Sequence, residues 1–311
     1  MRSIAEYPRR ILVAVTGMSP QILTETLWSL AVHQDPPFYP TEIHLFTTTT
    51  GAMQATNSLL SGDRPWFPRL LQDYELPAIP FTRASIEVIT NAAGEAMDDI
   101  RSAEDNEAAA SFLTERIRQL TEDPDAALHV SLAGGRKTMG YYIGYALSLY
   151  GRAQDRLSHV LVSSPFENSW DFFYPTPYER IIQIGSGEKT LLVDCRDAKI
   201  DMANIPFVRL RDELPTRFLS GKNGFSQIVE AANRALQPPL LQLDRREFSV
   251  IADDQPIALT DMEFIVLYWL VERHREAREW DWDTIGEDFL HTLKKVANVY
   301  ADFYERAEKA I

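Results

Sequence analysis

Cysteine is almost missing from this chain: Cys195 stands alone among 311 residues. A single thiol forms no internal disulfide and no multi-cysteine zinc site, and such usage fits a reducing compartment, so a cytoplasmic protein is expected. Long apolar runs are missing as well. No uninterrupted stretch approaches the roughly 20 apolar residues of a membrane helix, and the short run after Arg9 and Arg10 reads as a strand without a secretory cleavage site. Positive charge is scarce, with 31 Lys and Arg against 45 Asp and Glu and a formal net charge of −14. Coating DNA or an anionic membrane rests on distributed Lys and Arg, so both roles are disfavoured and an anionic ligand needs a local cationic seat. The six histidines are scattered, no carboxylate or histidine cluster has metal-ligand spacing, and neither metal nor cofactor is expected.

What is present is a large apolar fraction, 45% of the residues, in a chain long enough for two domains of roughly 150 residues. Ile11 to Val15 is a continuous apolar run that reads as a strand buried on both faces. Ser19-Pro20 then pairs a good N-cap residue with proline at a first helical position, ahead of a helical pattern through Ile22, Leu23, Leu27, Leu30 and Ala31. Further strands are expected at Ile43 to Thr47, Ser85 to Ile89, Leu128 to Leu132 and His159 to Ser163. Helices are expected near Met53 to Leu60, 106–121 and 137–150. This βαβ rhythm predicts an α/β fold with an open, mostly parallel sheet, in which ligands bind beyond the carboxyl ends of the strands. From Trp170 to about Pro215 short strands (Trp170 to Tyr174, Lys189 to Cys195) suggest an antiparallel extension.

The most concentrated feature is Leu-His-Val-Ser-Leu-Ala-Gly-Gly-Arg-Lys-Thr-Met at 128–139, a strand running into two glycines, two cations and a helix. Glycines let the backbone approach an anion, and the unpaired N–H groups and dipole of the following helix favour phosphate. The turn is not a nucleoside triphosphate P-loop, because Arg136 takes the place of the glycine before the lysine and no glycine lies at the required upstream spacing. Lys137, Gly134, Gly135 and Arg136 are therefore candidate phosphate contacts, with Arg136 suited to a bidentate grip. In a parallel sheet this turn and the first one, which carries Gly17, Met18 and Ser19, can lie side by side. Thr48, Thr49, Ser131, Thr138 and the Ser163 to Glu167 loop with Phe166 can line the same rim. The plain reading of Ser19 is ordinary helix capping, and that of the glycine pair a tight turn.

Val-Thr-Gly-Met-Ser-Pro-Gln (15–21) together with Ser-Leu-Ala-Gly-Gly-Arg-Lys-Thr-Met (131–139) resembles the CRISPR-associated ring nucleases of the Csm6-type or NE0113-type branch, over roughly residues 9–170. The resemblance implies a Rossmann-like CARF domain that forms a homodimer and binds cyclic oligoadenylate across the two-fold axis. It also implies that Ser19 and Lys137 take part in cleavage. The expected partner is cyclic tetra-adenylate, opened without a metal by the ribose 2′-hydroxyl.

The expected division is a CARF domain with its antiparallel extension at 1–215, a linker helix region at 216–239, and a C-terminal domain at 240–311. Ser220 to Asn223 and Pro238-Pro239 bracket a helix near 225–236. Leu240 to Asp244 and Phe248 to Ala252 read as strands turning at Asp253-Asp254, before a helix opened by a Thr260 and Glu263 capping box and lined by Phe264, Leu267, Tyr268 and Val271. This piece resembles the opening of a winged-helix domain, which raises the alternative of a regulator of DNA binding. Its about 16 acidic and 9 basic side chains, roughly −7, speak against DNA. Arg273-His274 is adjacent and does not form the Arg-x4-6-His pattern of a HEPN ribonuclease.

Overall fold

A computed structural model describes residues 2–62, 65–185, 187, 190–213, 224–235, 240–252, 255–276 and 285–297. By internal contacts the chain divides into Met1–Ala232 and Asn233–Ile311.

The first unit is built on a six-stranded sheet of β1 (Arg9–Val15), β2 (Glu42–Thr47), β3 (Ile86–Val88), β4 (Ala126–Ser131), β5 (Arg156–Val162) and β8 (Ile200–Asn204), in the order β3-β2-β1-β4-β5-β8. The first five strands are parallel, and β8 pairs antiparallel with β5. This is the Rossmann-like order, with its reversal between β1 and β4, where crossover connections run to opposite sides and open a crevice at the carboxyl edge. The continuous apolar run of β1 serves two cores at once. Leu12 and Ala14 face one cluster, while Ile11, Val13 and Val15 face the other.

The first face is covered by α1 (Gln21–Trp28), which continues through a π-helical turn at Ser29–His33, by α2 (Thr49–Ala55) and by α3 (Trp66–Asp73). The second face is covered by α4 (Ala103–Leu120) and α5 (Lys137–Tyr150). Met139 and Ile143 of α5 are buried, as helical periodicity predicts. Helix α6 (Phe225–Ala235) docks on the same face: Ile228 is buried there, and the Phe225 ring meets Tyr142 edge-on at 5.1 Å. The expected linker helix therefore has its first turns in the core of the first unit. The flanking Ser220 to Asn223 and Pro238-Pro239 lie outside the described residues.

Several elements differ from expectation. Helix α2 begins at Thr49, four residues before the expected Met53, because Thr48 caps it. Trp170 to Tyr174 is no strand. Its aromatics are anchors: Phe173 stacks on Trp66 at 4.8 Å and the Tyr174 hydroxyl donates to Asp73 at 2.8 Å. A run of large apolar residues satisfies β propensity equally well when it serves as a plug between helix and loop. The strands β6 (Ile181–Ile184) and β7 (Leu191–Asp194) form a separate antiparallel pair, so the extension of the main sheet is β8 alone.

In the second unit β9 (Leu241–Asp244), β10 (Ser249–Ala252) and β11 (Gln255–Ile257) form an antiparallel sheet in the order β11-β10-β9, followed by α7 (Asp261–Arg275) and α8 (Ile285–Ala297). The expected turn at Asp253-Asp254 lies outside the described residues. The capping box forms as read, with Glu263 Oε2 accepting from the Thr260 amide at 2.8 Å. Val250, Phe264, Ile265 and Tyr268 make a small core.

One buried charge is conspicuous. Glu25 of α1 is 8% exposed and has no side-chain partner among the described residues, and burial pushes its carboxyl up to about 8. A carboxyl raised in the folded state loses stability as pH climbs from its unfolded value near 4.5 through its folded value, so this penalty grows between roughly pH 4.5 and 8 and is on the order of 5 kcal/mol at most. Thermal denaturation of Glu25→Gln is expected to show a higher Tm than the parent at pH 8 and a near-equal Tm at pH 5. A constant difference across that range would refute the assignment.

Candidate functional site

Three turns leave the carboxyl edge of the sheet next to one another, after β1, β2 and β4, and they touch backbone to backbone. A Cβ built on Gly17 would lie 3.6 Å from Gly135 Cα. One built on Gly51 in α2 would lie 2.8 Å from the Gly17 carbonyl oxygen and 2.0 Å from Thr47 Oγ1, closer than any side chain permits. Gly134 and Gly135 adopt φ values of +100° and +70°, the left-handed region that favours glycine. A Cβ on Gly134 would also stand 2.9 Å from the Val15 carbonyl oxygen and 3.0 Å from Ile22 Cγ1. The glycine pair is thus the means by which the β4 turn lies down on the end of β1 and the start of α1, more than a generic tight turn demands.

Within the first turn the Thr16 hydroxyl donates to the Ser19 carbonyl at 2.9 Å. Helix α1 starts after Pro20 with no side-chain cap. The capping reading of Ser19 is therefore corrected: its side chain is exposed and free of protein partners among the described residues. Helix α5 likewise starts at Lys137 with no side-chain cap. Both helices follow strands that end at the carboxyl edge of the sheet, and each N-terminus offers unpaired N–H groups and a partial positive charge there. Lys137 and Thr138 are exposed, and the Lys137 ammonium has no ion-pair partner among the described residues. Met18 is 47% exposed beside them.

Arg136 is placed otherwise than expected. Its fork is filled by Asp99, with Nε donating to Oδ1 at 2.9 Å and the terminal nitrogen donating to Oδ2. The guanidinium holds the Asp99 carboxyl well below the usual carboxylate range, with help from the Ile100 amide and Arg101. The Arg136 side chain is about half exposed, 52%, so solvent screens this bidentate pair.

Four expected rim residues are committed to the scaffold. Thr48 is 7% exposed and caps α2 through the Gly51 amide at 3.4 Å. The Thr49 hydroxyl donates to the Met97 carbonyl at 3.2 Å. Ser131 is fully buried, shares a hydrogen bond with Thr26 at 3.2 Å and accepts from the Ala133 amide. Phe166 is 5% exposed and packs on Phe172. The hydroxyls of Thr48, Thr49 and Ser131 are thus engaged by the turns themselves, and the Phe166 ring by the core. Sequence reasoning missed Asp99, whose loop carries no motif, and Trp170, which was absorbed into an expected strand.

The site is an open shelf. A cavity of about 1040 Å³ lies at the opposite edge of the sheet, where β1 begins, lined by Arg10, Phe38, His129, Arg156 and Arg209 among others. Burial pushes His129 down to about 4, and its Nε2 lies 2.7 Å from the Ser158 hydroxyl. Among the described residues no three His, Cys, Asp or Glu gather as a metal site, and no helix is long and apolar enough to cross a membrane.

Comparison with known proteins adds a family. The model of the CRISPR-associated protein NE0113 family matches residues 19–238, from Ser19 of the first turn to beyond α6. No curated protein matches. Among solved structures, Enterococcus italicus Csm6 bound to cyclic hexa-2′-fluoro-hexa-dAMP is similar at 18% identity and a TM-score of 0.33, over 50% of this chain and 34% of that one. The chain thus spans about a third of the length of that protein.

The backbone contact predicts a specific sensitivity. Gly134→Ala combines an unfavourable φ with a clash on the Val15 carbonyl, and a loss of about 1–3 kcal/mol in folding stability is expected, read by denaturant titration. Gly94→Ala, also at positive φ but with open space around it, serves as the control. An equal loss in both variants would show that close approach contributes nothing.

Proposed function

The chain belongs to the NE0113 family of CRISPR-associated proteins, and from that premise we propose that it is a ring nuclease. In this reading it binds cyclic tetra-adenylate on the shelf between the β1 and β4 turns and opens the ring. The observation that supports the reading is that the β1 and β4 turns are neighbours, a Cβ on Gly17 reaching to 3.6 Å of Gly135 Cα, while Ser19 and Lys137, one on each side of this contact, are exposed and without side-chain partners among the described residues.

The reaction is a transesterification. A ribose 2′-oxygen attacks its adjacent 3′-phosphorus, the bond from phosphorus to the 5′-oxygen breaks, and the proton given up by the 2′-hydroxyl is balanced by the one taken up at the 5′-oxygen. The products carry a 2′,3′-cyclic phosphate and a 5′-hydroxyl, and no water is consumed. Catalysis then consists of holding the sugar and phosphate in line and stabilising the extra negative charge of the phosphorane. The Lys137 ammonium and the uncapped amides at the start of α5 meet that charge. The Ser19 hydroxyl orients the reacting ribose or phosphate from the facing turn. Gly17, Met18, Gly134, Gly135 and Thr138 form the floor and wall of the shelf, and Arg136 exchanges Asp99 for a neighbouring phosphate. A two-fold dimer matches a four-membered ring, with two equivalent cuts. The biological consequence is removal of the cyclic messenger and the end of type III CRISPR signalling.

The second reading, a cyclic oligoadenylate-responsive regulator without cleavage, is favoured by the three-stranded sheet and two helices of the C-terminal unit. Product analysis separates the two. Labelled rings of four and six adenylates incubated with the protein in EDTA are expected to yield linear di-adenylate with a cyclic phosphate from the smaller ring. Binding without turnover would favour the regulator instead. Lys137→Ala is expected to slow ring opening by about 100-fold or more, and an unchanged rate would remove Lys137 from the mechanism. Ser19→Ala is expected to slow cleavage with no change in Tm, since no capping hydrogen bond is lost. A fall in Tm at unchanged rate would return Ser19 to a structural role.

A further inference from the structure

The groups assigned so far contact phosphate and ribose, which position a nucleotide without reading its base. A base is gripped through its π-face, most often by an aromatic side chain. Among the described residues one aromatic on this rim is both exposed and unengaged. Trp170 is 61% exposed and has no ring or cation partner among the described residues.

Its mount is rigid. The Trp170 carbonyl accepts a 3.0 Å hydrogen bond from the Gln21 side-chain amide, and Gln21 is itself 5% exposed at the first position of α1, two residues after Ser19. On one side the Asp171 amide donates to the Ser169 hydroxyl at 3.2 Å, and the Ser169 amide to the Phe166 carbonyl at 3.0 Å. On the other, Phe172, Phe173 and Tyr174 are all buried, at 0%, 5% and 1% exposure. A large indole is thus presented to solvent from a backbone that is pinned on both sides and tied to the first turn of the site. With the backbone already fixed, only the two side-chain torsions of the indole are left to order when a planar ligand arrives.

We propose that Trp170 is the base-stacking residue of the ring site, taking one adenine against its indole face, with Gln21 as the residue that positions it. This rests on the ring-binding reading above and adds the part of the ligand that the phosphate seat cannot recognise. Purines overlap an indole more fully than pyrimidines do, so the contact favours adenine over uracil.

The test uses the full-length protein and cyclic tetra-adenylate carrying 2′-fluorine, which lacks the attacking hydroxyl and reports binding without cleavage. Trp170→Ala is expected to weaken its binding roughly 5- to 100-fold, while Trp170→Phe, which keeps a stacking face, stays within about fivefold of the parent. The preference of the parent for the adenine ring over cyclic tetra-uridylate is expected to shrink in Trp170→Ala. Light scattering and Tm are expected to match the parent in both variants. Equal affinity of Trp170→Ala and the parent overturns the proposal and leaves the ring-binding reading intact. A loss of affinity accompanied by a change in oligomer mass also overturns it, because Trp170 would then belong to a subunit contact. A parent protein that binds no ring overturns both.

Discussion

The contact on which the rest depends is the van der Waals approach of three backbone turns at the carboxyl edge of the sheet. Gly17 meets Gly135, Gly51 meets Gly17, and Gly134 lies on the end of β1. At Gly51 and Gly134 a side chain would intrude on main-chain or core atoms, at Gly17 a Cβ would just reach contact with Gly135, and at the β4 turn the backbone conformation favours glycine as well. The turns that meet here lead into α1 and α5, and both of these helices start without a side-chain cap. In a chain of net charge −14 the proposed seat for a polyanion would draw its positive potential locally, from helix ends and from Lys137, which has no ion-pair partner among the described residues.

The polar residues around the crevice divide by whether the scaffold consumes them. Thr16, Thr48, Thr49 and Ser131 complete the hydrogen bonds of the turns, and Arg136 neutralises Asp99. Ser19, Lys137 and Thr138 are left over. Such a division is what a preorganised site requires, since groups that fix the turns cannot also reorganise around a ligand, and groups that meet the ligand should not be tied down by the protein. The Arg136 and Asp99 pair stands between these roles: in the proposed site its carboxylate would give way to a phosphate, and the pair is partly open to solvent.

Much of the fold was legible because its signals are local. The doubly buried strand, the helix spanning 137–150 and the Thr260 and Glu263 capping box all follow from runs, periodicity and caps within a few residues. The misreadings share a cause. Trp170 to Tyr174 has strand composition, yet its backbone has no strand partner, because α3 offers Trp66 and Asp73 as partners for its rings. Thr48 and Ser131 sit at strand ends and Phe166 in the loop after β5, where a ligand contact and a turn contact look alike in sequence.

The sequence by itself determined the βαβ order, the glycine turns and the two residues Ser19 and Lys137 that stand at their tips, since each depends on backbone chemistry within one turn of chain. Only the tertiary structure decided which strands are neighbours, that the β1 and β4 turns meet, that Arg136 already holds a carboxylate and that Trp170 is pinned beside the first turn. Within the main sheet and its turns those outcomes join residues 27 or more positions apart, and a side chain's partner across such a distance is fixed by packing of the whole sheet and its two cores, which no local pattern encodes.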